Sequence, residues 1–349
     1  MPARNSLKRL TIRDVAKVAG VSTQTVSRVI NNHPDVAADT LTRVQTVIKD
    51  LGYAPDILAR SLIRGRSHTL GIVAFGLEFY GPSRVLTGIE RQAAELGYSI
   101  SLNLVHRPEL ADAKTLLASL QARRVDGVIW AIPEIGDNRA RAREISTAAA
   151  LPLVFVNGDP TVVGAPLIGI DNLAIGRLAT EHLLALGARQ VGVVAGPNDW
   201  WEAQQRLAGW RQALTAGGLS VDETLVAVGD WGAESGRLAG QSLLERHPKL
   251  DAIFAGNDQM ALGVMYAAHA LGRRIPDDLA VVGVDNIPEA ALFWPPLTSM
   301  RQRLREAGAQ AVRLVDSLIG ESDDSPGAQV VSPTLLQPEL IVRTSTRGV

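Results

Sequence analysis

Near the N-terminus, apolar residues recur at helical spacing. Ile12, Val15, Ala16 and Ala19 fall on one face of a run opened by Thr11, with Asp14 at the third helical position, where a carboxylate suits the helix dipole. Gly20 supplies a tight turn and Val21 an apolar plug. Ser22 caps the next run, Thr23 to Ile30, whose Val26, Val29 and Ile30 face inward. A third helical pattern covers about Ala38 to Leu51 and ends at Gly52. Two short helices around a glycine turn, with a third behind them, predict a helix-turn-helix head. The inward positions leave Thr23, Gln24, Ser27 and Arg28 on the outer face. Gln can pair with adenine and Arg with guanine in a major groove. Short hydroxyl side chains suit phosphates, which set register.

Pro55 stops the third helix, because it disfavours a helical residue before it. The segment Asp56 to Arg64 has helical potential but is too short to persist alone in water. It reads equally as a plain linker or as a switch. From Leu70 onward, short β-branched runs alternate with helical ones: TLGIVAF, YSISLNLV, VDGVIWAI and LPLVFVN in a first series, then LIGIDN, RQVGVVAG, LVAVGD, DAIFAGND and LAVVGVD in a second. This alternation predicts an α/β body with parallel sheets covered by helices. Two series imply two doubly wound lobes, with a ligand cleft beyond the carboxyl ends of the strands. Several strands run out into polar residues or a tryptophan: Asn157, Trp231 after LVAVGD, Asn257-Asp258 and Asp285-Asn286. Singly, each reads as a helix cap or turn former. Their recurrence points to ligand contacts.

Composition narrows the choice. At 349 residues and 46% hydrophobic, the chain can build more than one core. It has no cysteine, which excludes disulfides, thiolate metal sites and thiol catalysis. No apolar stretch is long enough for a bilayer, and Met1 to Leu10 lacks a signal-peptide core, so the expected location is the cytoplasm, with no membrane partner. The net charge of −1 hides an asymmetry. Residues 1–66 hold eleven Lys and Arg against five Asp and Glu, whereas the remainder holds 24 against 31. A basic head on an acidic body suits a chain that offers one end to a polyanion. Enzyme signatures do not emerge. There is no P-loop, GxGxxG or GxSxG. His33, His68, His106, His182, His247 and His269 lack metal-ligand spacing, and Asp277-Asp278 follow Pro276 as turn residues. No enzyme activity and no cofactor are expected.

The stretch TIRDVAKVAGVSTQTVSRVINN resembles the signature of the lactose repressor family of bacterial transcription regulators. The resemblance runs to about Thr346 and extends to the family's namesake. It implies that Thr23, Gln24 and Arg28 read bases of double-stranded operator DNA, and that Thr11, Ser22, Thr25, Ser27 and Asn31 hold phosphates. It also implies a hinge helix that folds against its twin in a homodimer, with Leu62 wedged into the minor groove and Ala59 packed nearby. Arg13 and Thr23 stand where the namesake has tyrosines, and Ala37 where a serine would cap the third helix. The operator is therefore expected to be related but not identical.

In the body, AGPNDWWEAQQRLAGW, GDWGAESG, FAGNDQMALGVM, VVGVDN and PPLTSMRQ resemble the periplasmic-binding-protein-like sugar sensor of that family. By position, Phe79, Gly81, Pro82, Asn157, Arg206, Trp231, Asn257, Asp285 and Gln302 would face a sugar. An indole suits the apolar side of a pyranose, and Arg, Asp and Asn suit its hydroxyls. Asn157 replaces an aspartate, and Ile170 and Leu304 replace phenylalanines at the apolar end of the namesake's pocket. The implied organisation is a head over 1–55, a hinge and linker over 56–67 and a body over 68–349. The first lobe would take about 68–166 and 299–331, the second about 167–298 and 332–349. The implied function is an allosteric repressor of carbohydrate-utilisation genes, released by a sugar effector with galactosides among the candidates. A corepressor-dependent regulator, as in purine-sensing relatives, and a cytoplasmic sugar-binding protein without allostery are the alternatives. The sequence stops at Val349 without the leucine-heptad tail that makes the namesake a tetramer, so a dimer is expected.

Overall fold

The computed structural model describes residues 10–30, 33–53, 66–107, 112–136, 138, 144–147, 149–161, 166–324 and 332–346. Asn31 and the expected hinge helix with Ala59 and Leu62 lie outside them. The chain divides into two units, Met1–Ser67 and His68–Val349.

The head forms where the periodicity places it: α1 (Ile12–Ala19), α2 (Thr23–Ile30) and α3 (Ala38–Leu51). The Asp14 carboxylate accepts from the Thr11 N–H at 2.8 Å and from its hydroxyl at 2.7 Å. Gly20 ends α1 at φ 65°, a left-handed conformation that a side chain would strain. Ser22 Oγ accepts from the Thr25 N–H at 3.0 Å and so starts α2. At Ala37 no side chain caps α3, since alanine carries no acceptor. Val15, Ala16, Ala19, Val26, Val29 and Val44 close the core of the head, and Val21 packs against it.

The body contains two six-stranded sheets. The first comprises β1 (Thr69–Phe75), β2 (Ser99–Val105), β3 (Gly127–Ala131), β4 (Leu153–Val156), β5 (Leu167–Ile170) and β11 (Thr334–Leu336). It is parallel throughout, in the order β11-β5-β4-β3-β1-β2. The second comprises β6 (Val191–Ala195), β7 (Val226–Val228), β8 (Ala252–Ala255), β9 (Ala280–Val284), β10 (Thr298–Arg301) and β12 (Glu339–Ile341). Its order is β12-β10-β9-β8-β6-β7, and only the edge strand β12 runs antiparallel. The covering helices are α4 (Tyr80–Glu95), α5 (Ala113–Ala122), α6 (Asn172–Ala185), α7 (Trp201–Ala216), α8 (Ala233–Arg246), α9 (Asp258–Ala270) and α10 (Leu304–Asp324). Alternation along the strands sorts side chains between faces. Leu70, Ile72, Ile129, Val154 and Val156 join one core, whereas Val73, Val128, Trp130, Leu153 and Phe155 join the other with Leu117 and Leu120 of α5.

The lobe boundaries differ from those expected. Leu167–Ile170 extends the first sheet, Thr298–Arg301 belongs to the second, and Thr334–Leu336 returns to the first. Each strand stays with the sheet whose hydrogen bonds it completes, so the chain changes lobe at strand ends: at Asp171, at Gln302-Arg303 and at Gln337-Pro338. Two of these crossings are tied together. The Asp171 N–H donates to the Leu336 carbonyl at 3.1 Å, and Gln337 Nε2 donates to Asp171 Oδ2 at 3.2 Å.

Three helix pairs, α4 with α10, α6 with α7 and α8 with α9, are packed through reciprocal glycines. A Cβ on Gly176 would lie 1.9 Å from the Arg206 carbonyl oxygen, and one on Gly209 would lie 2.2 Å from that of Leu173. The contact is with backbone, so neither side can yield by changing rotamer. We expect Gly176→Ala to force α6 from α7 and lower the unfolding free energy by ~1–3 kcal/mol, the range for overpacked cores. Gly320→Ala, on a helical position with open space around it, should be neutral or stabilising. Denaturant unfolding of the two variants separates the outcomes.

Candidate functional site

The strands of both lobes end at one cleft. Past β1, Phe79 opens α4, and its N–H donates to the Gly76 carbonyl at 2.9 Å. Past β4 comes Asn157, at φ 62°. Past β7 comes Trp231 at φ 75°, and past β9 Asp285 at φ 110°. Left-handed backbone at three non-glycine strand ends costs on the order of 1–3 kcal/mol each. Surrounding contacts hold these conformations. Gly196, past β6, lies so close to the Trp231 ring that a Cβ there would be 2.1 Å from it. Asn257 caps α9 by accepting from the Met260 N–H at 2.8 Å, and its Nδ2 donates to the Trp231 carbonyl at 2.9 Å. Gln302, at the second crossing between lobes, donates to Asp285 Oδ1 at 2.6 Å.

Arg206 stands at the centre. It lies one turn into α7 and is buried. Its Nε donates to Asn172 Oδ1 at 2.9 Å and its Nη1 to the Gly256 carbonyl at 2.6 Å. The guanidinium lies 5.5 Å from the centre of the Trp231 ring. Burial lowers its proton affinity, and Asp285 and Glu202 counter that. The rings of Phe79, Trp200 and Trp231 follow one another at 5.5 and 5.6 Å, edge to face.

The resulting cavity holds about 740 Å3 with its open mouth included. All nine residues expected to face a ligand line it: Phe79, Gly81, Pro82, Asn157, Arg206, Trp231, Asn257, Asp285 and Gln302. Leu304 also lines it, whereas Ile170 is buried within β5 and does not. Sequence reasoning missed Tyr80, Asn172, Trp200, Glu202 and Gln259. The signal for three of these was available: Asn172 follows β5 and Trp200-Glu202 follow β6, so the rule that located Asn157 and Asp285 covers them. In the head, Thr23, Gln24 and Arg28 are exposed on one side of α2, with Thr25 and Ser27 half-buried beside them. No cluster of metal-ligating side chains occurs among the described residues.

Three residues that line the cavity each carry a buried polar atom without a hydrogen-bond partner: Asn157 Oδ1, Glu202 Oε2 and Trp231 Nε1. Leaving such an atom unsatisfied costs about 1–3 kcal/mol. Burial pushes the Glu202 carboxyl up to about 7, with Glu134 adding to the shift and Arg206 opposing it. Burial likewise raises Asp285 to about 6, against Arg206 and Gln302. Asp258, behind the site, is raised to about 8 by burial and by Asp285. It accepts from Ser299 Oγ at 2.6 Å and from the Ile287 N–H at 2.8 Å, which fixes the loop after Asp285.

Comparison with known proteins fits both units. Residues 11–56 match the model for bacterial regulatory proteins of the lacI family, and residues 180–346 match a periplasmic binding protein-like domain. The lactose operon repressor of Escherichia coli is 33% identical over 341 residues, covering 97% of this chain and 91% of that protein. This chain belongs to the LacI family of bacterial regulatory proteins. Among solved structures, the lac repressor dimer bound to operator and the anti-inducer ONPF superposes with a TM-score of 0.85 at 32% identity, covering 98% of this chain and all of that one. A complex of the transcriptional regulator CelR with cellobiose gives 0.69 at 32% identity, covering 97% of this chain and all of that one. As a LacI-family member the chain is a DNA-binding transcription regulator, with a helix-turn-helix head and a two-lobed body.

The raised carboxyls give the body a pH dependence of definite sign. Glu202, Asp258 and Asp285 hold protons in the folded chain at pH values where the unfolded chain has released them. Their contribution is complete below about pH 4, the ordinary carboxylate range, and is lost as pH rises through about 6 to 8. Thermal unfolding of the ligand-free protein should move to lower temperature between those limits, and Glu202→Gln should flatten the slope. A slope unchanged by the substitution would place the titrating groups elsewhere.

Proposed function

We propose that the chain is a cytoplasmic, sequence-specific repressor of carbohydrate-utilisation genes that leaves its operator when a neutral sugar fills the cleft of the body. One observation carries the sugar reading: the three unsatisfied polar atoms around the aromatic cavity. A polyhydroxylated ligand can donate to Asn157 and Glu202 and accept from the indole N–H of Trp231. Its C–H faces suit the rings of Phe79, Trp200 and Trp231. The succession of rings supports a ligand of two sugar units, and the CelR complex, with cellobiose, puts a disaccharide in a related body. Galactosides and glucosides are therefore the first effectors to try.

At the other end, the exposed Thr23, Gln24 and Arg28 are assigned to base edges, and Thr11, Ser22, Thr25 and Ser27 to phosphates. Asn31 is assigned a phosphate, and Ala59 and Leu62 the minor groove, by family resemblance alone. A homodimer would present two heads to a near-palindromic operator. Support for it comes from apolar residues left in solvent on the second lobe. Leu262 and Tyr266, one turn apart on α9, are 42% and 64% exposed, and Leu292 and Trp294 are 84% and 96% exposed.

The reading is tested by titrating operator affinity with cellobiose, lactose, glucose and galactose. We expect affinity to fall with at least one of them. Tight operator binding that none of these sugars weakens would overturn sugar-induced release, and a tightening would identify a corepressor. Separately, Gln24→Ala and Arg28→Ala should each cost ~1–3 kcal/mol of specific binding, as for a lost bidentate base contact. Binding to unrelated DNA should change much less. Gel-shift titration against specific and random duplexes reads both.

A further inference from the structure

Among the polar groups of the cleft, Glu202 is a buried carboxyl with an unpartnered oxygen. It sits in the first turn of α7, one turn ahead of Arg206, and is 8% exposed. The residue lines the cavity, and one of its oxygens is buried without a partner. Across the cleft, the segment after β3 brings up Glu134, also buried at 7% exposure, whose Oε1 accepts from the Asp159 N–H at 3.0 Å. The two lobes are tied at this place. The Trp201 N–H donates to the Glu134 carbonyl at 3.0 Å, the Gly136 N–H donates to the Asp199 carbonyl at 2.9 Å, and Ile135 pairs with Trp200 in an antiparallel bridge. Glu202 is therefore held at the seam between lobes, where a ligand touching it would touch both.

The charge around this seam has one sign. The charged groups that face Glu202 are Arg206 on its own helix and Glu134 on the opposing segment. Beyond Arg206 lie Asp285 and Asp258. One guanidinium thus stands among four carboxyls, all in a poorly solvated site. At a pH where Glu202 and Asp285 are ionised, an anionic ligand entering here would meet uncompensated negative charge at low dielectric, a large penalty. A neutral ring with adjacent hydroxyls would instead supply the donors that the orphan oxygen lacks.

We propose that Glu202 sets which sugars the cleft accepts: as a carboxylate it takes hydrogen bonds from hydroxyls of a neutral sugar, and with Glu134 it shuts out sugar phosphates and sugar acids. This rests on the sugar reading above. In the ligand-free cleft the Glu202 carboxyl carries its proton near neutrality. Hydroxyls donating to it favour the ionised form. Binding then transfers one proton from the Glu202 oxygen to the buffer, with no covalent change in the sugar. Affinity should rise with pH up to about 7 and level off above it.

The test is calorimetry on the full-length protein with cellobiose, lactose, glucose and galactose, and with glucose 6-phosphate and glucuronate. We expect a neutral sugar to bind, its affinity to rise between about pH 5.5 and about pH 7, and proton release to show as a dependence of heat on buffer ionisation enthalpy. Glu202→Gln should keep wild-type thermal unfolding at low pH, lose the pH dependence and weaken binding by about tenfold. At about pH 8, where Glu202 and Asp285 are ionised, the anionic sugars should bind at least about tenfold more weakly than glucose. Neutral-sugar binding with no proton release, or with equal affinity in Glu202→Gln, overturns the role of Glu202 and leaves the sugar reading intact. Tighter binding of glucose 6-phosphate or glucuronate overturns the exclusion. Wild-type protein that binds none of the neutral sugars overturns the sugar reading and this inference together.

Discussion

A guanidinium buried in a cleft must be surrounded by acceptors, and most of the body's arrangement follows from how Arg206 meets that demand. Three separate strand ends supply the partners. Asn172 comes from the end of β5, the Gly256 carbonyl from the end of β8, and Asp285 from the end of β9. The first belongs to the first lobe's last main strand and the other two to the second lobe, so one side chain ties the crossing between lobes to the floor of the cleft. Its position along α7 is in turn fixed by the Gly176 and Gly209 contacts, because the Arg206 carbonyl lies against α6. Helix packing and site geometry are here one constraint: a shift between α6 and α7 would move the only cation among the described residues lining the cavity.

That constraint accounts for the strain at the strand ends. Asn157, Trp231 and Asp285 hold positive φ angles, uncommon outside glycine and least suited to the bulky Trp231. A relaxed backbone at Trp231 would withdraw its carbonyl from Asn257 and lift the indole from Gly196. A relaxed backbone at Asp285 would draw the carboxylate away from Gln302 and Arg206. Extended conformation is abandoned where the side chain must turn into the cleft rather than lie in the sheet. The capping of α9 by Asn257 shows that helix cap and cleft residue are compatible roles, since its Oδ1 serves the helix while its Nδ2 serves the site.

Much of this was legible in the sequence, for physical reasons that can be named. The helices of the head could be placed because a small module has few ways to bury Val15, Val26 and Val44, and because Thr11, Ser22 and Gly20 mark its ends by their hydrogen-bonding and conformational chemistry. The parallel sheets followed from β-branched runs alternating with helical ones. The lobe boundaries did not follow. LIGIDN, TSMR and TLL are short strands, and nothing in their side chains says which of two similar sheets takes their backbone hydrogen bonds. Family resemblance and strand-end position located the residues around Arg206, including Trp231 and Asp285. Glu202 and Trp200 escaped although they follow β6, because the strand-end rule was not carried past RQVGVVAG. Only burial shows that the carboxyl lacks a partner, and burial is a property of three elements that meet in space, not of one segment.

The unpartnered polar atoms of the cleft bear on how a sensor of this kind can work. A ligand shifts an equilibrium between two lobe arrangements only by the difference of its affinities for them. Apolar stacking on Trp200 or Trp231 discriminates weakly, since rings of one lobe can keep much of their contact with a sugar when the other lobe rotates. Hydrogen bonds discriminate sharply, because a few tenths of an ångström or a modest change of angle removes them. Reversing a two-state balance from about 1:99 to 99:1 takes roughly 5.5 kcal/mol. Orphan atoms costing about 1–3 kcal/mol each approach that total when Asn157 Oδ1, Glu202 Oε2 and Trp231 Nε1 are satisfied in one arrangement only. Asn157 lies on the first lobe, and Glu202 and Trp231 on the second. A ligand serving all three must therefore hold both lobes at once. On the proposed reading, the coupling energy of the switch resides in these unpartnered atoms, and the aromatic rings set the fit of the sugar without setting the state of the protein.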